Sequence, residues 1–417
     1  VLALLPLLHF LVAAMLAAGL NWLSLRSWRR SRGQHWTERA RILYPVRTSA
    51  AGNLFLIPAV CAAAQAILFP ELPVTSLWLA LAALPGAILG TYPMDRELFP
   101  NFGFRAWLHE VGATWILRAS RTALFLTALI LMPAEWDWRG PALALGVVGL
   151  QTWMVWGGGL WLARKLGLII APPERLLAIV DDLAQRLHIP LPRAWVLRGV
   201  ACNAGALPQT RTLFVTERLL EALSDEELSA VCTHEFAHLT ESRWVLVRRY
   251  LSTLALVPCL FIRPVFHRFD LPGLAVLWVA VWLIGWATRT FARRMEQRAD
   301  SIALAHEGPE SGAYARGLAR LYECNQIPAV MPGKRQIHPH LYDRLLAAGV
   351  TPDFSRPNAP ARRSWSGWLL AALMFGMVMV GTHRHAVRGA GPRLPKRGPR
   401  IQESQEPVPV EKSADRR

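Results

Sequence analysis

Residues Ser224–Leu239, SDEELSAVCTHEFAHL, decide how the rest of the chain is read. The stretch opens on an S-x-x-E pattern, Ser224 and Glu227, in which each side chain can satisfy a backbone amide of the other, so a helix is expected to start at Ser224. Leu228, Val231 and Cys232 follow as its apolar face. His234-Glu235-Phe236-Ala237-His238 then spells H-E-x-x-H. Histidines at i and i+4 project from one helical face about one turn apart. That suits two nitrogens on one Zn²⁺ at about 2.0 to 2.1 Å, with Glu235 beside the ion as general base for its water. The competing reading is an ordinary surface helix that carries two histidines, so the motif needs a third ligand from elsewhere in the chain.

Working outward, Asp225, Glu226 and Glu227 precede the motif and Glu241 and Arg243 follow it, which sets this helix at a polar surface rather than inside a membrane span. The chain around it is apolar. Of 417 residues, 53% are hydrophobic and only 18% charged, with a mean hydropathy of +0.25, too apolar for a soluble enzyme. That composition excludes a disordered protein, a collagen-like fibre and a secreted disulfide scaffold. The formal charge of +17 comes from arginine, since Lys165, Lys334, Lys396 and Lys412 are the only lysines. These cations flank apolar runs instead of covering one polar face. They are better matched to anionic lipid headgroups than to a nucleic acid, and no nucleic-acid partner is expected. The cysteines Cys61, Cys202, Cys232, Cys259 and Cys324 form no C-x-x-C pair, and nothing in them requires an oxidising compartment. Cys232 reads as helix packing rather than a nucleophile.

About five spans are expected in residues 1–163, at 1–25, 53–70, 75–92, 122–138 and 141–163, the first of them uncleaved because no basic segment precedes it. Trp78, Trp136, Trp138 and Trp161 suit an interfacial aromatic belt. Arginines collect at 26–47 and again at 93–121, and Arg164 and Lys165 follow the fifth span. The positive-inside tendency then places the N-terminus outside and residue 164 onward in the cytoplasm. Residues 164–249 form a polar insertion. Leu176, Val180, Leu183 and Leu187 mark a helix there, and Ala194–Val200 and Thr212–Thr216 read as two strands of a small hairpin. Residues 250–291 read as a transmembrane or partly inserted hairpin turning at Asp270–Gly273. Residues 292–363 are polar again, 364–383 contain a last span, and 384–417 read as a disordered basic tail. The fold class expected is mainly α, a polytopic helical membrane protein with a polar domain that carries a small β-hairpin or sheet.

A third ligand is available in that second polar segment. Glu296-Gln297-Arg298-Ala299-Asp300 is E-x-x-x-D, with two carboxylates on one helical face. Glu296 can ligate a metal, and Asp300, one turn on, can orient a ligand histidine. The bland alternative is a charged helix face. An even number of apolar runs separates His238 from Glu296, which returns both motifs to the same side of the membrane.

With these residues in hand, the chain resembles peptidase family M48, the integral-membrane zinc metallopeptidases that include the CAAX prenyl protease and the heat-shock protease HtpX. The resemblance covers about residues 172–350. It rests on Asn203-Ala204, TLFVTERLL at Thr212–Leu220, the quoted stretch at Ser224–Leu239, E-x-x-x-D, and His338-Pro339 with Arg344. It implies a cytoplasmic zincin-like domain holding one Zn²⁺ per chain through His234, His238 and Glu296, with Glu235 as catalytic base and Asp300 behind the ligands. It also implies an endopeptidase acting on membrane-associated or unfolded protein substrates, in the bilayer of a bacterial inner membrane. Asn203, His306, His338, His340 and Arg344 are candidates for substrate contact, oxyanion stabilisation or scaffolding. Arg211–Thr216 is a candidate strand edge for an extended substrate. The alternatives are a sensor peptidase resembling family M56 and a non-catalytic, zinc-stabilised membrane scaffold. Substrate identity and oligomeric state have no signature in the sequence.

Overall fold

The computed structural model describes residues 4–69, 76–100, 102–199, 201–307, 311–333 and 339–389. The chain begins with α1 (Leu5–Ser24), the short α2 (Arg26–Arg30), α3 (Trp36–Leu68), α4 (Ser76–Leu89) and α5 (Tyr92–Leu98). The helices α1, α3 and α4 meet along small residues, with Ala13, Ala17, Ala83 and Ala87 buried beside Ile57 and Val60. Lipid offers no hydrophobic drive between helices, so close backbone approach must supply the packing. Gly86 makes that approach possible, because a Cβ there would collide with the Phe10 carbonyl of α1.

The sequence suggests a basic loop followed by a span at 53–70, but α3 already begins at Trp36 and carries Arg39, Arg41 and Arg47 on the same helix. Each of these charges has a local compensation that hydropathy does not register. Arg41 pairs with Glu38, Arg39 lies over the Trp28 ring, and Arg47 reaches the Asn325 carbonyl at 2.5 Å.

The helices α6 (Phe104–Thr114) and α7 (Ser120–Leu131) run on through a π-helical turn at Trp115–Ala119. The span expected at 122–138 is therefore displaced toward the N-terminus. The helix stops at Leu131 because Pro133 disfavours helical geometry in the residue before it. Next come α8 (Arg139–Trp153), a second π-helical turn at Met154–Gly158, and α9 (Gly159–Lys165). Among the described residues, four helical segments are long and apolar enough to cross a membrane: Leu5–Arg30, Trp36–Leu68, Arg139–Lys165 and Arg243–Ala305. The chain is thus a mostly helical, multi-span membrane protein.

The polar insertion contains β1 (Ile169–Ile170), α10 (Glu174–Arg186), β2 (Arg193–Leu197), β3 (Ala204–Leu207), β4 (Thr212–Thr216), α11 (Glu217–Ala222) and α12 (Asp225–Leu239). The four strands form one sheet in the order β1-β2-β4-β3. The two runs read from sequence as a hairpin, β2 and β4, instead pair in parallel. The hairpin partner of β4 is β3, inside the expected connection. Ala204-Gly205-Ala206-Leu207 has no β-branched residue to announce a strand. Gly205 stands there because the Phe214 ring lies against its backbone, where a side chain would overlap it. This arrangement also corrects the expected substrate edge: β4 is central, and β1 and β3 are the edge strands. Val196, Leu213, Val215 and Ala204 face a core shared with Leu176, Val180 and Leu183 of α10 and Val231 and Phe236 of α12. The opposite face turns toward the membrane helices, where Arg164 lies over Trp195.

After α13 (Arg243–Thr253) the chain enters α14 (Ile262–Ala305), whose helical geometry breaks once, at Asp270 with φ 50° and ψ −147°. That break falls at the turn expected from the sequence. Val276, Trp278, Val279 and Trp282 beyond it are exposed, as a lipid-facing stretch requires. The second half of α14 then packs on α12. The helices α15 (Ala313–Asn325), α16 (Leu341–Ala347) and α17 (Trp365–Gly389) complete the chain. Tyr314, Leu318, Leu341 and Leu345 bury a second core against Ala230 and Ala303. Trp28 donates its indole N–H to Gln326 at 3.1 Å, tying the N-terminal helices to the polar unit. The expected disordered tail lies almost wholly outside the described residues, and α17 continues through residues 384–389.

Candidate metal centre

The helix α12 starts where the motif requires. Ser224 Oγ accepts from the Glu227 N–H at 3.3 Å, and the Glu227 carboxylate accepts from the Ser224 N–H at 3.0 Å. Asp225, Glu226 and Glu227 fill its first turn, where negative charge complements the helix dipole. His234 and His238 therefore stack one turn apart, both buried, with ring centroids 5.1 Å apart.

Glu296 arrives on α14, and Arg298 sets the register of the two helices. Its guanidinium donates to the Ala237 carbonyl and to Thr240 Oγ1, both at 3.0 Å, clamping α14 onto the last turn of α12. His234 Nε2 is then 3.5 Å and His238 Nε2 3.7 Å from the Glu296 carboxylate. One ligand atom from each of these residues lies within 4.8 Å of the others.

The opposite ring nitrogens are already engaged. His234 Nδ1 lies 3.0 Å from Asp300 Oδ1 and 2.8 Å from the Tyr314 hydroxyl. His238 Nδ1 lies 2.8 Å from Glu241 Oε1. Each imidazole thus donates from Nδ1 to a carboxylate, which leaves both Nε2 lone pairs aimed at the same point as Glu296. Two imidazole nitrogens and a carboxylate oxygen make a set that fits Zn²⁺ with a fourth position open.

The supports behind these contacts form two buried clusters. Arg344 donates to Asp300 at 2.6 and 3.0 Å and to the Tyr314 hydroxyl at 2.7 Å, while Tyr314 donates to Asp300 at 2.6 Å. On the other side, Arg249 of α13 donates to Glu241 Oε1, the same carboxylate oxygen that His238 Nδ1 meets. Burial disfavours a charge on His234, but Asp300 and Glu296 outweigh it and lift the imidazole to about 9. Burial likewise pushes the Glu235 carboxyl up, opposed by His234 and His238 and by the Ala206 N–H, which Glu235 accepts from β3.

The structure brings His234, Glu235, His238, Glu296, Asp300 and Arg344 into one neighbourhood. Arg344 is spent on Asp300 and Tyr314, which makes it a scaffold rather than a group facing the open position. The other candidates lie apart. His306 is ten residues beyond Glu296, at the C-terminal cap of the same helix, about 15 Å along it, and its Nδ1 bonds the Ile302 carbonyl. His340 accepts from the Met331 N–H at 3.1 Å at the start of α16. Asn203 is exposed, and its backbone anchors the start of β3 on Thr216. His338 lies outside the described residues. Sequence reasoning missed Glu241, Tyr314, Arg249 and Arg298. Glu241, three residues after His238, could have been found from helical spacing. The other three are assigned only by packing.

Residues 171–350 match the family model described as peptidase family M48. Curated relatives named protease HtpX homolog include one from Acaryochloris marina, 32% identical over 28% of this chain and 42% of the relative. Another is from Gemmatimonas aurantiaca, 31% identical over 28% of this chain and 44% of the relative. A third, from Methylibium petroleiphilum, is 28% identical over 34% of this chain and 51% of the relative. The chain spans about half or less of the length of these relatives. The match takes in both helices of the candidate centre, so it is in residues 171–350 that the chain is similar to peptidase family M48.

Proposed function

We propose that the chain is a membrane-embedded zinc endopeptidase that hydrolyses peptide bonds of membrane-associated or unfolded protein substrates at the cytoplasmic face of a bacterial inner membrane. The observation that carries this reading is the convergence of His234 Nε2, His238 Nε2 and the Glu296 carboxylate on one point beside Glu235. Zinc held there would polarise the scissile carbonyl and acidify a water molecule. Glu235 is placed to take the proton of that water at its carboxylate and return it to the leaving amine. Its raised affinity for a proton, which burial produces, suits a group that must hold one between the two steps. Asp300 and Glu241 keep both imidazoles in the tautomer that presents Nε2. The outward edge of β3 supplies backbone groups to align an extended chain beside Glu235. The cytoplasmic orientation is supported by the arginines clustered at residues 26–47 and 93–121 and by Arg164 and Lys165.

The test is zinc-dependent cleavage of an unstructured reporter protein by the detergent-purified chain, with Glu235→Gln as the comparison. Cleavage lost in the variant while one zinc stays bound is the expected result. Equal cleavage by both forms would remove Glu235 as base. No cleavage by either, with zinc bound in both, would favour the metal-stabilised scaffold.

A further inference from the structure

Two cysteines far apart in the chain meet outside the candidate centre. Cys202 stands just ahead of β3 and is fully buried, while Cys324 occupies the last turn of α15 and is partly exposed. Asn325 holds the two segments together. Its side-chain amide donates to the Cys202 carbonyl at 2.6 Å, and its Oδ1 accepts from the Cys202 N–H at 2.9 Å. Both backbone groups of Cys202 are thus fixed by the residue next to Cys324. The two side chains are free thiols that hydrogen-bond to one another, at the edge of the core that also contains Leu219.

The thiols are not equivalent. The Cys202 S–H donates to Cys324 and lowers the Cys324 thiol against the opposing effect of burial, and Arg218 of α11 adds in the same direction. The same contact, together with burial, pushes the Cys202 thiol up. Cys324 is therefore the readier thiolate and the one that solvent reaches, with Cys202 protonated behind it. A solvent-accessible thiolate with a second thiol in reach is the arrangement that oxidants convert to a disulfide.

The pair also joins segments on which the rest of the molecule depends. The strand β3 begins at Ala204 and carries Ala206, whose N–H Glu235 accepts. The helix α15 carries Tyr314, which meets His234. Immediately after Cys324, the Asn325 carbonyl accepts from Arg47 and the Gln326 side chain from Trp28, both on the N-terminal helices. The chain between Cys202 and Cys324 contains His234, His238 and Glu296, so a bond between the two sulfurs closes a loop around the whole candidate centre.

We propose that Cys202 and Cys324 form a peroxide-sensitive pair whose disulfide locks the sheet to α15. The Cys324 thiolate attacks one oxygen of hydrogen peroxide or an organic hydroperoxide and breaks the O–O bond. Cys324 becomes a sulfenic acid, and the other oxygen takes up a proton and departs as water or an alcohol. The Cys202 sulfur then attacks the Cys324 sulfur and breaks its S–O bond. The S–S bond forms, and the Cys202 proton leaves with the hydroxide as water. The two sulfurs together lose two electrons and the peroxide gains them. A dithiol reductant returns both residues to thiols by exchange. Closing so long a loop restricts the unfolded chain far more than the folded one. The oxidised form resists unfolding under the conditions in which peroxides damage other proteins.

The experiment treats the full chain in detergent with a small excess of hydrogen peroxide, blocks the remaining thiols with iodoacetamide and maps peptides by mass spectrometry without reduction. The expected result is a cross-linked Cys202–Cys324 peptide that dithiothreitol reverses, with a thermal midpoint higher by about 5 °C or more. Cys202→Ser should lose both effects and let Cys324 go on to sulfinic acid. Cys324→Ser should lose both and leave Cys202 reduced. Iodoacetamide on both residues after peroxide would overturn the proposal. So would sulfinic acid on Cys324 of the wild type beside a reduced Cys202, cross-links only to other cysteines or to a second chain, or a Cys202–Cys324 bond that leaves the midpoint unchanged or lowers it. If a serine variant does not fold, the wild-type peptide map and midpoint decide alone. None of these readouts uses zinc or cleavage, so the outcome is independent of the peptidase reading.

Discussion

Glu241 should control how tightly the proposed zinc site holds its ion, although it makes no contact with the point where the ligands converge. Its side chain is 1% exposed and lies 2.8 Å from His238 Nδ1. A hydrogen bond to a charged partner contributes about 1.5 to 3 kcal/mol, and removing the orienting partner of a ligand histidine costs about 10 to 100-fold in metal affinity. Glu241→Gln keeps an acceptor of the same size but loses the charge, so zinc affinity should fall about tenfold, or about 1.4 kcal/mol. Glu241→Ala removes the acceptor as well and should approach the upper end, about a hundredfold. Arg249, which is 32% exposed, can turn to solvent in either variant, so misfolding is not the expected cause. The assay is competitive titration against a zinc chelator in detergent, with thermal unfolding of each variant to confirm the fold. Zinc affinities within threefold of wild type in both variants would show that His238 does not depend on Glu241 for its orientation, and the argument from paired ring nitrogens would fail for that ligand.

Arg298→Ala loses two bonds from α14 to the end of α12 and should lower stability by about 1 to 3 kcal/mol, visible as a reduced midpoint in a detergent thermal-shift measurement; an unchanged midpoint would mean the helix register is set elsewhere. Gly86→Leu drives a side chain into the Phe10 carbonyl and should cut the yield of monodisperse protein several-fold on size-exclusion chromatography, since membrane helices rely on close approach; a normal profile would contradict the tight α1–α4 contact. Ala206→Pro deletes the single N–H of that residue, the one that Glu235 accepts from β3. It should reduce kcat/KM on an unstructured substrate at least tenfold while zinc content stays at one per chain; undiminished turnover would remove β3 from the substrate site.

Local patterns were legible without coordinates wherever short-range chemistry is complete in itself. The capping box at Ser224 and Glu227 sets the start of α12, and helical spacing then places the two candidate histidines on one face. The E-x-x-x-D pair is likewise readable, because one helical turn puts Glu296 and Asp300 on a common side. Long apolar runs announced a membrane protein, since no soluble surface could carry them. Boundaries were harder. Hydropathy could not reveal that α3 starts at Trp36, because the partners that compensate Arg39 and Arg47 come from Trp28 and Asn325, distant in the chain.

What only the tertiary structure decided lies in contacts between segments far apart in sequence. The strand β3 was invisible because Ala-Gly-Ala-Leu has no intrinsic strand preference. It exists because β4 offers it a ladder and Phe214 covers Gly205. The pairing of β2 with β4 in parallel could not be read from two β-prone runs, which are equally compatible with a hairpin. Tyr314, Arg344 and Arg249 carry no motif, and each acquires its place behind the histidines from the helix that delivers it. The residue types that can hold an ion are specified locally, by spacing on a helix. Which of their atoms face one another depends on how α12, α13, α14 and α15 pack, and only the folded chain settles that.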